Sequence, residues 1–256
     1  MTIKLIVNAD DLGYSEGVNR GILKAQQRGI VTSTTVLVNR NATAEALKLA
    51  SSSQLPAVGV HLCLSSGKAL SQSNNIPKLV DEQGYFFSKD RVLQEPFPLD
   101  QVKRELRQQI ETVLRMGVEL THLDSHHHVH MNPVILEAVA DLAVEYKLPV
   151  RSVSQSMRAY LSERKVRTCG AFIGDFFGEG ATSTNLIELL DQAKSLETGR
   201  VVELMTHPGE VDSLLLKWSS YKGEREKELQ VLTKEGLTQI IESMGFVLTD
   251  YRNAFK

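Results

Sequence analysis

Five of the seven histidines in this 256-residue chain fall between His122 and His130, in the run Thr121-His122-Leu123-Asp124-Ser125-His126-His127-His128-Val129-His130. Imidazole is neutral enough near pH 7 to ligate a divalent metal and basic enough to carry a proton, so histidines beside a carboxylate read as a metal or catalytic centre. A lone histidine is more often a core residue satisfied by a hydrogen bond. This density, in the middle of the chain and away from any terminal tag, favours chemistry. If the backbone stays extended, His126 and His128 share a face with Asp124 while His127 points elsewhere. A turn at the end of the strand would change that parity, so spacing leaves the choice of ligands open.

Three further segments carry chemistry. In Asn8-Ala9-Asp10-Asp11-Leu12-Gly13, two adjacent carboxylates at a buried strand end would repel each other unless a cation or a shared proton relieved them. One Asp could then bind a metal while the other orients or deprotonates water; the plainer alternative is a turn or helix cap. His61 lies between Val60 and Leu62, and His207 lies in Met205-Thr206-His207-Pro208-Gly209, where Pro-Gly forces a sharp exit from a strand. Each of these two histidines would pass for a core residue by itself.

What gives them weight is the set of elements that must position them. Short apolar, β-branched runs alternate with stretches of helical period, the pattern of a parallel sheet with helical crossovers. Strands are expected at Ile3 to Val7, Val31 to Val38, Val58 to Leu62, Val118 to Leu123, Pro149 to Val153, Val201 to Met205 and Phe246 to Thr249. Helices are expected from a Ser15 cap to Arg28, over Leu99 to Met116, from an Asn132-Pro133 start to about Tyr146, and as one long helix over Glu224 to Met244. Thr168 to Phe177 could add a strand ended by Gly178 and Gly180. Residues 65–98, with Gly67, Pro77, Gly84, Pro96 and Pro98, have little periodicity and read either as a substrate-covering loop or as a surface excursion. No repeat, linker or composition shift divides the chain, so residues 1–256 are expected to form one α/β domain, a (β/α) barrel with mostly parallel strands. Asp10 and Asp11, His61, Asp124 and His126, and His207 all follow apolar strands on their C-terminal side, the face on which barrel active sites assemble.

Composition narrows the function. Lys and Arg total 29 against 31 Asp and Glu, a formal charge of −2, which offers no general attraction to nucleic acid or an acidic membrane. A small neutral substrate fits better. Two cysteines, Cys63 and Cys169, make no disulfide framework and no CxxC pair. The opening residues show neither the apolar stretch nor the cleavage pattern of a signal peptide, and no run is long enough to span a bilayer, so the expected location is the cytoplasm.

Four segments together resemble the YdjC/ChbG family of carbohydrate deacetylases: Asn8 to Gly13, Gly59-Val60-His61-Leu62, Thr121 to His130, and Thr206-His207-Pro208-Gly209. Ile30 to Thr35 and Arg225-Glu226-Lys227-Glu228-Leu229 fit the same pattern, so the likeness runs over nearly the whole chain. The resemblance implies a barrel-like fold, one divalent metal, and hydrolysis of the N-acetyl group of an amino sugar or oligosaccharide, chitooligosaccharides being the best described substrates. It puts Asp11, His61 and His126 in the metal-ligand positions, Asp10 in that of the general base and His207 in that of the general acid. It also implies a homodimer. Asp124, His127, His128 and His130 are left to orient ligands or touch substrate, since a metal-bound imidazole needs a partner for its other nitrogen. The resemblance tips the metal towards Mg²⁺, with Zn²⁺, Mn²⁺ and Co²⁺ compatible with mixed oxygen and imidazole ligation.

Two other readings compete. A metal-dependent phosphoesterase would recruit Arg or Lys for the phosphate, or a second metal, and the catalytic segments are poor in both cations. A silent metal- or sugar-binding protein would hold ligand without releasing acetate. Leu214, Leu215, Leu216, Trp218 and Tyr221 form either a subunit interface or the underside of a loop.

Overall fold

Most strand residues of this protein are buried, as a parallel sheet covered by helices requires. The computed structural model describes residues 2–52, 54–55, 57–195 and 201–256. Among these, seven strands form one parallel sheet: β1 (Ile3–Leu12), β2 (Ser33–Val36), β3 (Val58–Leu62), β4 (Leu120–Ser125), β5 (Ala171–Ile173), β6 (Val201–Thr206) and β7 (Phe246–Thr249). Their order is β4-β3-β2-β1-β6-β5, and β1 is the organising strand. It pairs with β6 along one edge from Lys4 to Ala9. The other edge serves β7 at Ile3 to Ile6 and β2 from Asn8 onward.

The sheet curls into an open barrel whose ends, β4 and β5, are joined through loop backbone. Pro149 to Val153, expected as a strand, makes a single bridge from Val150 to Leu123 of β4. On its other side the Val150 N–H donates to the Arg167 carbonyl at 2.9 Å, on the approach to β5. The segment cannot extend further because Ser154 already caps the next helix, its side chain accepting from Met157 N. Its short path turns Arg151 into the barrel interior.

Helices pack outside. α1 (Glu16–Arg28) starts on Ser15, whose hydroxyl accepts from Val18 N, and buries Val18, Ile22 and Ala25 at helical spacing. α2 (Thr43–Ser51), α3 (Lys89–Gln94) and α4 (Leu99–Arg115) follow, and α5 (Pro133–Tyr146) begins on the Asn132 cap with proline in its first turn, as its sequence predicts. α6 (Gln155–Glu163), α7 (Ser183–Ser195) and α8 (Ser213–Trp218) lead to the C-terminal part. The single long helix expected over Glu224 to Met244 is two, α9 (Gly223–Leu232) and α10 (Leu237–Ser243), because Gly236 at φ +80° takes the left-handed conformation between them. α11 (Tyr251–Ala254) closes the fold.

Two strand boundaries matter for the site. β1 runs past Val7 to Leu12, so Asp10 and Asp11 lie on the strand itself, and its register with β2 shifts between Ala9 and Leu12. β4 runs to Ser125, placing Asp124 opposite His61 of β3. Residues 65–98 are a packed excursion: Ile76, Leu79, Val80, Phe86, Val92 and Phe97 are buried, and only Ser66 and Lys89 from this stretch reach the central cavity.

Candidate metal and catalytic site

The C-terminal ends of β1, β3, β4 and β6 converge on a cavity of about 620 Å³ whose floor carries Asp10, Asp11, His61, His126 and His207. These residues, spread over some two hundred positions of sequence, become neighbours because parallel strands all end on one face. The irregularity in β1 separates the two aspartates. Asp11 has φ +71°, an uncommon conformation for a residue with a Cβ, and the strand kink it makes turns its carboxylate away from that of Asp10.

Asp11 faces two imidazoles. Its Oδ1 lies 3.0 Å from His126 Nδ1 and 3.4 Å from His61 Nε2, and this oxygen is buried without a hydrogen bond of its own. One ligand atom from each of the three residues falls within 4.8 Å of the others. Asp11 Oδ2 accepts from Arg225 Nη2 at 2.6 Å, which leaves Oδ1 as the free oxygen. His61 is fixed from behind, its Nδ1 2.8 Å from Asp124 Oδ1, so Nδ1 carries a proton and Nε2 is the nitrogen that faces Asp11. Thr35 Oγ1 donates to the second Asp124 oxygen at 2.9 Å. Gly59, just before His61 in sequence, is required by close packing: a Cβ there would lie 2.6 Å from His122 Nδ1.

The field of this cluster calls for positive charge. Burial alone would raise the Asp11 carboxyl, but Arg225, His126 and His61 hold it well below the usual carboxylate range. Burial likewise opposes a charged His61, yet Asp124, Asp11 and Asp10 push that imidazole well above its ordinary value. A second carboxylate-histidine group, Asp10, His61 and Asp124, is less open. Arg151 already stands between its carboxylates, 2.6 Å from Asp10 and 3.1 Å from Asp124.

Asp10 sits on the opposite side of the strand kink, accepting from both terminal nitrogens of Arg151 and from Asn8 Nδ2 at 2.8 Å. Despite complete burial, Arg151 and the nearby His61 and His207 keep it ionised, below the usual carboxylate range. His207 Nε2 is 3.9 Å from Asp10 Oδ2, and its Nδ1 is 3.9 Å from Glu228 Oε1. Burial pushes the His207 imidazole down to about 4, against the pull of Asp10 and Asp11, so it rests neutral at pH 7. Burial raises Glu228 to about 7, although it accepts hydrogen bonds from the His207 N–H and the Tyr221 hydroxyl.

The histidine run does not continue the strand. After Ser125 it turns over His126–Met131, with His127 at φ +57° and His128 at φ +53°. That left-handed pair replaces the alternating faces of an extended chain. His126 meets Asp11, His127 Nδ1 lies 2.9 Å from Ser65 Oγ, and His128 packs edge-on to Phe172 at 5.6 Å. His127 and His128 line the cavity. His130 does not: it is buried beneath the turn, with its Nδ1 against the Ser125 hydroxyl. His122 belongs to the core, stacked on Tyr251 at 3.7 Å.

Several site residues carry no clear mark in the sequence. Arg151 is a lone arginine in an apolar run, and its role appears only when the barrel closes around it. Arg225 and Glu228 sit in the charge-rich segment that shares in the family likeness, which assigns neither a role. Their signal is spacing: Arg225, Glu228, Leu229 and Leu232 form the buried stripe of α9 at i, i+3, i+4 and i+7. Asn8 and Thr35 belong to the segments noted above but are ordinary strand residues by type.

Residues 4–243 match the family model described as YdjC-like protein. A carbohydrate deacetylase of Brevibacillus brevis is 39% identical over 253 residues, covering 97% of this chain and 98% of that protein. A crystal structure from Enterococcus faecalis V583, described as a candidate cellobiose-phosphate cleavage protein, superposes with a TM-score of 0.91 at 36% identity and covers 98% of both chains. A CE4 esterase of Streptococcus mutans shares the fold alone: TM-score 0.52, 15% identity, 97% of this chain and 86% of that one.

Proposed function

We propose that this chain, which belongs to the YdjC-like protein family, is a metal-dependent carbohydrate deacetylase. It hydrolyses the N-acetyl group of an acetylated amino sugar or of an oligosaccharide such as a chitooligosaccharide, and releases acetate. The observation that carries this reading is the convergence of Asp11 Oδ1, His61 Nε2 and His126 Nδ1 on one point beside Asp10 and His207. The three donors suit a divalent cation: a buried carboxylate oxygen lacks a hydrogen bond, and one imidazole is held in the ligating tautomer by Asp124. When bound, the metal would polarise the acetamide carbonyl and make a bound water acidic, towards a pKa of about 7 in the best zinc sites.

The residues of the chain supply the rest. Arg225 holds Asp11 through one oxygen and leaves the other to ligate. Arg151 and Asn8 hold the Asp10 carboxylate in one orientation, where Oδ2 can take a proton from the attacking water. His207 starts neutral, so it must gain a proton within the cycle before it can give one up, and Asp10 Oδ2 is the carboxylate oxygen near its Nε2. From Nε2 the proton goes to the departing amine, whose expulsion as an anion would otherwise be prohibitive; such acid-base help is typically worth about 10² to 10⁴ in rate. Glu228 fixes the His207 backbone. His127 and His128 line the cavity where the sugar would sit.

Mg²⁺ is the metal we assign, with Mn²⁺, Zn²⁺ and Co²⁺ as the alternatives the mixed donor set admits. A cytoplasmic location and a homodimer complete the reading. The experiment is acetate release from acetylated mono- and oligosaccharides by chelator-treated protein, with each metal restored in turn. No release with any metal, from protein that binds the sugars, would establish a silent binder instead.

A further inference from the structure

Tyr251 opens α11, which packs against β1 and β4, and its side chain is buried in the barrel at 2% exposure. It lies beyond residues 4–243, the stretch that matches the family model, and no motif in Asp250-Tyr251-Arg252 marks it. A buried phenol hydroxyl needs a partner, and Tyr251 Oη donates to Glu203 Oε2 at 2.5 Å. The ring is held in place. It stacks on His122 at 3.7 Å with planes 7° apart, and the Tyr251 N–H donates to Ser33 Oγ at 3.4 Å. Asp250 caps the helix by accepting from the Asn253 N–H at 2.9 Å, and Lys4 Nζ donates to the Ala254 carbonyl at 3.0 Å.

Glu203 carries this contact towards the site. It is fully buried on β6, opposite Ile6 of the strand that bears Asp10. Its Oε1 accepts from Arg151 Nε at 2.9 Å and lies 2.8 Å from Nη2, while Tyr251 is the hydrogen-bond partner of Oε2. Arg151 gives Nη1 and Nη2 to Asp10 at 2.6 and 2.7 Å, and Nη1 also faces Asp124 Oδ2 at 3.1 Å. A guanidinium has five N–H donors, so with three carboxylates around it Arg151 has none to spare. Carboxylate and guanidinium prefer two parallel N–H···O bonds, and a Glu203 with a free second oxygen would draw the fork off Asp10. The Tyr251 hydroxyl occupies that oxygen. The same device recurs at the other competitor, Asp124, whose Oδ2 accepts from the Thr35 hydroxyl at 2.9 Å.

We propose that Tyr251 is a positioning residue for Asp10: by occupying Glu203 it keeps the Arg151 fork on the Asp10 carboxylate, which stays aimed at the attacking water. This rests on the deacetylase reading above, in which Asp10 takes the proton of that water. The test is Y251F, which keeps the ring against His122 and removes the hydroxyl alone, assayed by acetate release from N,N′-diacetylchitobiose with metal content measured alongside. Its kcat is expected to fall about tenfold with KM and bound metal unchanged, as for an interaction that serves the transition state rather than substrate binding. The decisive arm is a double-mutant cycle with D10N. An effect carried by the Asp10 carboxylate vanishes when that carboxylate is gone, so D10N/Y251F is expected to match the residual turnover of D10N within about twofold. A general loosening of the barrel would instead lower both backgrounds alike. Y251F/E203Q, whose side chain at position 203 keeps its shape but has one acceptor oxygen and no charge with which to compete for Arg151, is expected to recover most of the lost kcat. An unchanged kcat in Y251F, an equal fall in the D10N background, or no recovery in Y251F/E203Q overturns the proposal, while acetate release by the native protein upholds the deacetylase. No acetate from the native protein with any of the metals named above overturns the deacetylase reading and the role of Tyr251 with it.

Discussion

Arg151 donates from both terminal nitrogens to the two oxygens of Asp10, at 2.6 and 2.7 Å, across 141 positions of sequence. Its Nε donates to Glu203 at 2.9 Å, and Asp124 stands 3.1 Å away, so one fully buried guanidinium ties together β1, β4 and β6 at the barrel interior. Three carboxylates share it, and burial raises the Glu203 carboxyl even with Arg151 alongside.

Removing Arg151 would leave those carboxylates buried and unpaired. Breaking one side of a buried ionic network typically costs about 3–5 kcal/mol, more than replacing the whole network with apolar groups. Arg151→Met is therefore expected to lower unfolding stability by about that amount, read from urea midpoints. A loss under about 1 kcal/mol would show that the network does not hold the barrel together.

The adjacent aspartates should separate by role. Asp11→Asn, His61→Ala and His126→Ala are each expected to lose bound metal and turnover together, because each removes a donor from the three-atom cluster. Asp10→Asn is expected to keep its metal and lose turnover by about 10² or more, the scale of acid-base catalysis. Metal content by atomic emission beside acetate release decides it; Asp10→Asn protein without metal would mean that the two roles are shared or exchanged.

Under the proposed function Asp124 would act on the metal at one remove, through the His61 tautomer and through Thr35. Asp124→Asn should retain a site but weaken metal affinity about 10–100-fold, the usual cost of losing such a partner. Competition with a metal-sensitive dye measures it. Unaltered affinity would assign Asp124 to Arg151 alone.

His207 is tested by the leaving group. An acid matters most when the departing group is poor, so His207→Ala should damage hydrolysis of an acetylated amino sugar far more than that of an activated acetyl ester, with metal content unchanged. Equal losses on the two substrates would make His207 a positioning residue.

The buried imidazoles also fix an acid limit. Burial pushes His122 well below its ordinary value, His130 to about 3 and His207 to about 4, while the unfolded chain takes up those protons near 6.5. The unfolded state then binds more protons as pH falls below about 6.5, so the stabilisation is complete above that pH and is lost towards pH 4. His61 is shifted upward, and its contribution is lost only as pH rises above 6.5. Each neutral histidine approaches about 1.4 kcal/mol per pH unit. Urea midpoints of chelated protein should drop as pH falls from about 6.5 to about 5; a flat profile over that interval would contradict the buried neutral state.

The sequence by itself determined the parallel α/β barrel, most of its strands and the residues that meet at its floor. Apolar strands buried on both faces are visible as runs, and polar residues at their C-terminal ends must share one mouth whatever the details of packing. Asp10, Asp11, His61, His126 and His207 were legible for that reason. Which histidines of the run face the cavity was not, because two left-handed residues, His127 and His128, break the alternation that spacing assumes. Nor was Arg151, whose segment reads as one more strand and whose importance comes from three carboxylates brought to it by other elements. Arg225 and Glu228 lie in a segment that shares in the family likeness, but their partners, Asp11 and His207, are set only when α9 packs against the barrel. Periodicity reports which face of an element is buried; it cannot report what a buried charge will meet there, since that partner is chosen by long-range packing.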